Sequence, residues 1–463
     1  MRYLYSLLLG ILFIYSCSKD TDGGDDPKTT ALEACFEISK DTLSVGENLQ
    51  LTDCSKGASS YAYNFGNGES SEEDSPTVNY QDGGDFNISL TVTNDDMETK
   101  TFSRKVHVIS AASKYIYPDI PAGFSTMSLE TGIHPSNGNI YSIELVEDHV
   151  GAGGSKYYYN ELDASYNVTS NYVADKPFEA NSAFVNFYPS GNMNFVFSRT
   201  LAGLYGTQEI TYNSGWGYLN GINSATKHSY GFLPDGVNFL YYGTEEDAGV
   251  YKAAIERRNA SGDAFEVFLG DLGSTDGMIG DMIPSGSGYI AFGGVFTKNA
   301  TSPYIENYKP VVIFYDSSLA ITSHVIFDSS VLSGKISSAN DLNGSYHVEQ
   351  LSNGNIAMYG NGELIVSDAA GSLISTTYFE GTKNNQALIS LGDSFILSTD
   401  NYLKKFDANG GLVKKLKYGG HYLPEILEVS NLLFFAAGYE VEGEIKMFYG
   451  SSDKDLNLID LNQ

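Results

Sequence analysis

The stretch Phe406-Asp407-Ala408-Asn409-Gly410 decides the fold of this chain, because versions of it recur. In each version an apolar strand ends in Asp or Asn, a few small residues follow, and another strand begins. The Asp or Asn stands at positions 163, 213, 259, 316, 368, 407 and 453, a mean step of about 48 residues, which suits four short strands with their turns. A second signal, a turn before an apolar strand as in Tyr188-Pro189-Ser190-Gly191-Asn192, alternates with the first.

These alternating signals predict seven repeated units in residues 111–463. A four-stranded sheet cannot bury both faces alone, so the units must stack around an axis. We therefore expect a seven-bladed β-propeller, with six or eight blades as alternatives. The hairpins resemble those of the broad quinoprotein-like and YncE-like propellers, and the resemblance is one of architecture.

Composition supports an all-β chain and excludes one class of partner. The 463 residues include 34 Tyr, 25 Phe and 49 Gly, and apolar residues occur in short runs without helical spacing. The 57 acidic and 27 basic residues give a net charge of −30. Such a charge repels phosphate backbones, so nucleic acid is not an expected partner.

Residues 32–110 predict a small β-sandwich, because short runs such as Asn48-Leu49-Gln50-Leu51-Thr52 alternate apolar and polar residues. Further marks are Tyr63-Asn64-Phe65-Gly66-Asn67-Gly68 and Ser75-Pro76-Thr77-Val78-Asn79-Tyr80. Together they closely resemble the PKD (polycystic kidney disease) domain, which implies a spacer or a weak binding module. That family usually carries two carboxylates in the loop where this chain has Asn64 and Asn67.

The N-terminus predicts export and lipidation. An apolar stretch from Leu4 to Ile14 is too short to span ~30 Å of hydrocarbon, so residues 1–17 are expected to be a signal peptide. The end of this segment resembles a bacterial lipobox, which implies a lipid on Cys17; an ordinary secretory signal is the alternative. The acidic tether at 18–31 has nothing to bury and resembles the export signal of surface lipoproteins of the Bacteroidetes. We expect a cell outer membrane location, lipid-anchored and facing the exterior.

Two cysteines remain once Cys17 is assigned to lipid. Cys35 and Cys54 are an even pair in an exported protein, where disulfides persist. We expect a disulfide on the first two strands of the sandwich; two buried free thiols are the alternative.

The propeller segment carries no strong catalytic motif. It has no nucleophile elbow, zinc signature or phosphate-binding loop, so we expect no enzyme activity, metal or organic cofactor. Aromatic residues in glycine-flanked or strand positions are the candidate ligand contacts, because exposed rings on a rigid scaffold suit stacking on sugars. The candidates are Trp216, Tyr218, Tyr157, Tyr159 and Tyr241. Packing in the core is the competing interpretation of each, and for Trp216 that packing would lie between blades 2 and 3.

Three function hypotheses follow. The first is a binding module for a neutral glycan or for a partner protein of an outer-membrane uptake or adhesion complex. The second is a propeller glycoside hydrolase or lyase, which would require acidic side chains converging on the axis. The third is a structural scaffold, which an exposed apolar blade edge would favour.

Overall fold

The computed structural model describes residues 31–459 with gaps. The gaps are 82, 110–112, 115–123, 149–155, 166, 176–181, 202–203, 217, 225–226, 260, 262, 274–275, 299–304, 329–345, 380–386, 400–401, 419–421 and 442–443. The described residues form strands and turns without a helix, so none of them belongs to an apolar helix long enough to cross a membrane. Cys17 and the tether lie outside the described residues.

The N-terminal unit is a sandwich of two sheets. One has the order β1 (Phe36–Ile38), β3 (Asn48–Asp53) and β6 (Thr77–Asn79). The other has the order β2 (Thr42–Ser44), β8 (Thr99–Ile109), β7 (Gly84–Thr93), β4 (Ser60–Asn64) and β5 (Ser70–Ser71). Only the β2–β8 pair is parallel among these pairings. The inward residues of both sheets pack into one apolar core that includes Leu49, Tyr63 and Ile88.

The predicted disulfide between Cys35 and Cys54 is present, with the two Cα atoms 4.9 Å apart. Cys35 directly precedes β1 and Cys54 directly follows β3, and these strands pair antiparallel. The bridge therefore joins the first and third strands. These are the first two strands that the sequence predicts, at 34–38 and 48–52, so the predicted pairing is confirmed; the structure adds the short strand β2 between them, in the opposite sheet.

Seven antiparallel four-stranded sheets follow, and each pairs its strands in chain order. Blade 1 contains β10 (Phe124–Ile133), β11 (Ile140–Asp148), β12 (Lys156–Leu162) and β13 (Val168–Asp175). Blade 2 contains β14 (Ser182–Phe187), β15 (Met193–Leu201), β16 (Leu204–Tyr212) and β17 (Tyr218–Ser224). Blade 3 contains β18 (Lys227–Asp235), β19 (Asn238–Asp247), β20 (Val250–Arg258) and β21 (Ala264–Gly270). Blade 4 contains β22 (Asp276–Ser285), β23 (Gly288–Lys298), β24 (Ile305–Tyr315) and β25 (Ile321–Ile326). Blade 5 contains β26 (Tyr346–Gln350), β27 (Ile356–Gly360), β28 (Glu363–Ser367) and β29 (Leu373–Tyr378). Blade 6 contains β30 (Leu388–Ser390), β31 (Ser394–Thr399), β32 (Tyr402–Asp407) and β33 (Leu412–Lys417). Blade 7 contains β34 (Tyr422–Val429), β35 (Leu432–Val441), β36 (Glu444–Ser452) and β37 (Leu458–Ile459).

The seven blades close into a ring. The first strand of each blade contacts the first strand of the next, and β34 of blade 7 contacts β10 of blade 1. The last sheet takes strands from both ends of the propeller segment, because β9 (Ser113–Lys114) and β37 both pair with β36. The expected all-β fold, a PKD-like sandwich followed by a seven-bladed propeller, is confirmed.

Every junction between blades has its own apolar cluster, which is what stabilises the ring. The cluster between blades 4 and 5 is centred on residues such as Phe292 and Met358, and that between blades 6 and 7 on Leu433 and Phe448. The cluster where blade 7 meets blade 1 is smaller and lies beside buried polar side chains such as Glu144. Strand residues are buried on both faces in the inner strands because each sheet is covered on both sides.

The recurring Asp or Asn has a defined role in the turns. It begins the hairpin between the third and fourth strands of each blade. There its Oδ1 accepts a backbone N–H two residues on and, in every blade where that residue is described, a second N–H four residues on. The residue three positions after it has a positive φ wherever it is described, as at Trp216, Leu319, Gly371, Gly410 and Leu456. This is a type I turn followed by a left-handed residue, a common short hairpin connection. The repeat was visible in the sequence because this geometry needs an acceptor at the first position.

Candidate functional site

Three of the five aromatic candidates lie in the core, which corrects the expectation of exposed rings. Tyr157, Tyr159 and Tyr241 are buried. The hydroxyl oxygens of Tyr157 and Tyr212 lie 2.9 Å apart, and Tyr159 donates to Glu161 Oε1 at 2.8 Å. These rings face the neighbouring blade because blade sheets are covered on both faces, so alternation along a strand exposes neither side.

Tyr241 belongs to a buried polar network between blades 2 and 3. The guanidinium carbon of Arg258 lies 4.0 Å from the centre of the Tyr241 ring, and Arg258 Nη2 donates to Glu209 Oε1 at 2.7 Å. Arg258 Nε also pairs with Glu256, and Asn194 Nδ2 donates to the Tyr241 hydroxyl at 3.2 Å. Removing Arg258 would leave the buried carboxylates of Glu209 and Glu256 without their cation, so the network acts as a tie between the two blades.

Trp216 packs between blades 1 and 2. Its ring stacks on Tyr172 of β13, with centroids 4.1 Å apart and an interplanar angle of 5°, and it meets Tyr159 edge-on at 5.0 Å. It occupies the left-handed position of its turn, where blades 4 and 7 carry Leu319 and Leu456, both buried in junction clusters. The half-buried Trp216 therefore takes the place of a packing residue, at the junction of blades 1 and 2 instead of that of blades 2 and 3.

Tyr218 is the one aromatic candidate with a largely exposed side chain, at 66%. It stands with Leu219 at the start of an outer strand, and other outer strands begin in the same way. In blades 5 and 6 these exposed apolar residues are Leu373 and Ile374, and Leu412 and Val413, at 55%, 41%, 57% and 61% exposure. We call these last four residues the blade 5–6 patch.

The two halves of the blade 5–6 patch lie on neighbouring blades, beside a hydrogen bond that joins them. Ser375 Oγ of β29, directly after Ile374, donates to Asn409 O in the turn that leads into Leu412, at 2.6 Å. The two exposed pairs therefore border the same inter-blade contact. Exposed apolar residues grouped in this way mark an interaction site more often than single exposed residues do.

Lysines border the blade 5–6 patch. On β32 and β33, Lys404 stands directly opposite Lys415, and Lys405 opposite Lys414. Lys414 Nζ is held by Asn457 Oδ1 of blade 7 at 2.9 Å, and Lys415 Nζ lies 5.2 Å from the Tyr402 ring. A partner surface that complements this arrangement has an apolar centre and acidic residues at its edge.

Acidic side chains line the axial channel, defined here as the space enclosed by the first strands of the blades. They are Glu130, Asp281, Glu349 and Glu425, on blades 1, 4, 5 and 7. Each is partly exposed, yet burial is the leading cause that raises its pKa, as expected for the wall of a narrow channel. The sequence reasoning missed these four residues because they are separated by dozens of residues; an acid near the middle of a blade's first strand is the only signal that could have found them.

Two of these carboxyls are tied to neighbouring blades. Asp281 Oδ2 accepts the backbone N–H of Val348 at 2.8 Å, and Asp281 Oδ1 accepts the hydroxyl of Tyr242 at 3.0 Å. Burial raises the pKa of Asp281 to about 6, although these bonds oppose the rise. Burial and the charge of Asp281 raise the pKa of Glu349 to about 8, against a hydrogen bond from the Ser390 backbone. Asp281 thus joins blades 3, 4 and 5, and Glu349 joins blades 5 and 6.

The sandwich loop at 64–69 has Asn64 and Asn67 where the PKD family usually has carboxylates, and the side-chain amides of these two residues hold the loop. Asn64 Oδ1 accepts the N–H of Gly66 at 2.9 Å, and Asn67 Oδ1 accepts that of Glu69 at 2.9 Å. Gly66 and Gly68 have φ values of 78° and 94°, which favour glycine. Within the described part of the chain, no three His, Cys, Asp or Glu side chains are arranged to hold a metal ion.

The chain thus combines a PKD domain with a seven-bladed propeller. Residues 35–106 match the model of the PKD domain family. A segment of 75 residues is 35% identical to the pre-pro-metalloprotease PrtV of Vibrio cholerae, and the match covers 16% of this chain and 8% of that protein.

Two solved structures are similar to this chain to different extents. The PKD1 domain of Vibrio anguillarum Epp is 35% identical, with 18% of this chain and 96% of that chain covered and a TM-score of 0.16. A quinonprotein alcohol dehydrogenase-like protein of Bacteroides thetaiotaomicron is 12% identical, with 90% and 98% covered and a TM-score of 0.36. The propeller assignment rests on the strand order and ring closure of this chain.

Proposed function

We propose that this protein is a lipid-anchored module of the outer membrane that holds a partner protein through the blade 5–6 patch. The observation that carries the proposal is that two exposed apolar pairs, Leu373–Ile374 and Leu412–Val413, border the same contact between blades 5 and 6. Covering such residues with a partner stabilises the complex by ~25 cal/mol for each Å² of apolar area removed from water, so a group of them favours an interaction.

The lysine border supports a protein partner with acidic residues at its edge. Lys404 and Lys415 face each other across two strands, and like charges directly opposite destabilise a sheet. Acidic groups on a partner would relieve that repulsion and steer its approach. A neutral glycan has less support, because the rings of Tyr157, Tyr159 and Tyr241 are buried.

A glycoside hydrolase has less support than a binding module. Such an enzyme needs one protonated and one ionised carboxyl, with environments that push their pKa values apart. The pKa values of Asp281 and Glu349 do differ in this way, at about 6 and about 8, but Asp281 already accepts three protein hydrogen bonds and Glu349 accepts one from the Ser390 backbone, so both carboxyls are engaged in contacts within and between blades. We infer that these acids act in blade contacts or in binding.

The test is site-specific photo-crosslinking in the native membrane. A photoreactive amino acid is placed at Ile374, at Val413 and, as a control, at Val267, an exposed apolar residue of blade 3. We expect the same partner protein to crosslink from Ile374 and Val413 and not from Val267. Crosslinks to lipid, or equal labelling from the three positions, would contradict the proposal.

A matched pair of variants follows. Leu412→Ser with Val413→Ser should abolish co-purification of that partner, whereas Val267→Ser with Leu269→Ser should leave it unchanged. Membrane attachment is tested separately: Cys17→Ala should release the protein from the membrane fraction, and added protease should cleave it on intact cells.

A further inference from the structure

Blade 5 ends in an outer strand, β29, whose far edge is open. The sheet has the order β26, β27, β28 and β29, and in the described part of the chain no strand pairs with the far edge of β29. The residues at 373, 374, 376 and 377 of this strand are exposed. The backbone N–H and C=O groups along such an edge can pair with a strand from another chain.

The hydrogen-bond register shows which backbone groups of β29 point outward. Phe379, directly after β29, donates its N–H to Gly362 O at 2.8 Å. Hydrogen-bonded pairs alternate along an antiparallel ladder, so Thr377 and Ser375 also bond to β28. The register shift of this ladder lies before Ser375, so the ladder beyond it is regular. The N–H and C=O of Thr376 therefore point away from β28, at the middle of the exposed edge.

The composition of β29 also distinguishes it from the other outer strands. Four of its six residues are β-branched or aromatic, and it has no charged residue, histidine, glycine or proline. Each other outer strand is either two residues long, as β37 is, or contains a charged residue, a histidine or a glycine. Those residues are Asp175, Gly221, Glu266, His324, Lys414, Lys415 and Lys417. Charges and short length are devices that keep edge strands unpaired, and β29 lacks both.

Lysines of blade 6 flank the open edge. Ser375 Oγ donates to Asn409 O at 2.6 Å, and the Nζ atom of Lys404 lies 4.4 Å from the centre of the Phe379 ring. Blade 6 therefore contacts both ends of the regular ladder, on the face that carries residues 375, 377 and 379. Lys415 stands opposite Lys404, one strand further from the axis, and makes no ion pair among the residues that the structure describes. A strand added outside β29 has alternate side chains on the side of Lys415.

We propose that β29 binds an extended, acidic segment of the partner protein by strand addition. This inference rests on the proposed function and specifies how the partner binds. The N–H and C=O of Thr376 bond to one residue of that segment, because a hydrogen-bonded antiparallel pair exchanges both bonds. Acidic side chains on the blade 6 side of the segment meet Lys415, and an apolar side chain covers Ile374. An extended peptide is the partner chemistry that presents a matching row of backbone donors and acceptors.

Hydrogen exchange resolved to single residues tests the proposal on the full chain, alone and in its complex with the crosslinked partner. In the free protein the Thr376 amide should exchange fast, whereas β28 protects the amides of Ser375 and Thr377. In the complex the Thr376 amide should exchange at least ~5-fold more slowly, because its N–H is then hydrogen-bonded. The measurement needs no substitution, so it does not depend on the folding of any variant.

Blade 4 supplies a matched control for substitutions. Phe327 N–H donates to Pro310 O at 2.9 Å, so His324 holds on β25 the position that Thr376 holds on β29. Proline lacks the N–H and is tolerated on an edge strand where that N–H points outward. Thr376→Pro should lower the yield of partner crosslinked from a photoreactive amino acid at Val413 by at least ~5-fold. His324→Pro should leave that yield unchanged, and so should Thr376→Val, which lacks the hydroxyl and retains the amide.

The outcomes distinguish strand addition from the proposed function. If a partner crosslinks from Ile374 and Val413 while the Thr376 amide still exchanges fast, the partner binds through side chains alone. Strand addition is then wrong, although the proposed function stands. Equal crosslinking yields from Thr376→Pro and His324→Pro would also overturn strand addition. If no partner crosslinks, both proposals fail, and if the crosslinked protein is a second copy of this chain, the edge serves self-association and the assignment to a partner protein is wrong.

Discussion

Replacing Trp216 with alanine measures whether this side chain packs the fold or contacts a ligand. The ring stacks on Tyr172 at 4.1 Å and meets Tyr159 at 5.0 Å, so truncation removes two aromatic contacts and leaves a cavity between blades 1 and 2. Buried Trp→Ala changes cost ~3–5 kcal/mol, and the half-buried position of Trp216 places the loss near the lower end, about 3 kcal/mol.

The loss translates into a measurable shift in melting temperature. An unfolding entropy of ~2.1 cal/mol/K per residue over the propeller corresponds to roughly 1.4 °C for each kcal/mol, hence about 4 °C for Trp216→Ala. Trp216→Gly should be less destabilised than Trp216→Ala by about 1 kcal/mol, because the position has a φ of 62° and glycine adopts it without strain. Gly371 and Gly410 hold the same position in blades 5 and 6.

Differential scanning calorimetry and retention on neutral polysaccharides are measured on the same samples. Tyr218→Ala is the control for an exposed aromatic residue and should change the unfolding free energy by less than about 0.5 kcal/mol. We expect unchanged retention for Trp216→Ala. Unchanged stability together with lost retention would refute the packing argument and return Trp216 to the ligand contacts.

Three further predictions concern the sandwich and blade 4. Replacing Cys35 and Cys54 with serine should lower the unfolding free energy of the sandwich by about 3 kcal/mol, read by hydrogen exchange, because the bridge closes a separation of 19 residues. Gly293→Ala should cost more than about 2 kcal/mol in thermal melts, since its Cβ would overlap a backbone oxygen; Gly215→Ala, whose nearest neighbour would be 3.4 Å away, is the control. Burial raises the pKa of Asp85, but hydrogen bonds with His107 and Lys105 outweigh burial and lower that pKa to about 2. The stabilisation from Asp85 is present above the unfolded pKa of ~3.9 and should disappear as pH falls to about 2, an acid dependence that Asp85→Asn should abolish.

The repeat made the architecture predictable from the sequence. A hairpin with a left-handed residue needs a side-chain acceptor at its first position, so the Asp or Asn recurs wherever a blade's third and fourth strands meet. Seven such positions, from Asp163 to Asp453, gave the number of blades. The disulfide and the two strands beside it followed from cysteine parity and from the alternating runs at 34–38 and 48–52, whereas the short β2 between them was not predicted.

The candidate site could not be predicted from the sequence, for a physical reason. Alternation along a strand predicts one exposed face, and a blade has none in its inner strands, so Tyr157 and Tyr241 are buried. The strands that carry Glu130 and Glu425 are separated by almost the whole propeller and become neighbours only because the ring closes. The sequence by itself determined the local turns and therefore the kind and number of sheets, because those depend on neighbouring residues. The tertiary structure alone decided which side chains face the axis, the junctions or the rim, because closure brings distant blades into contact.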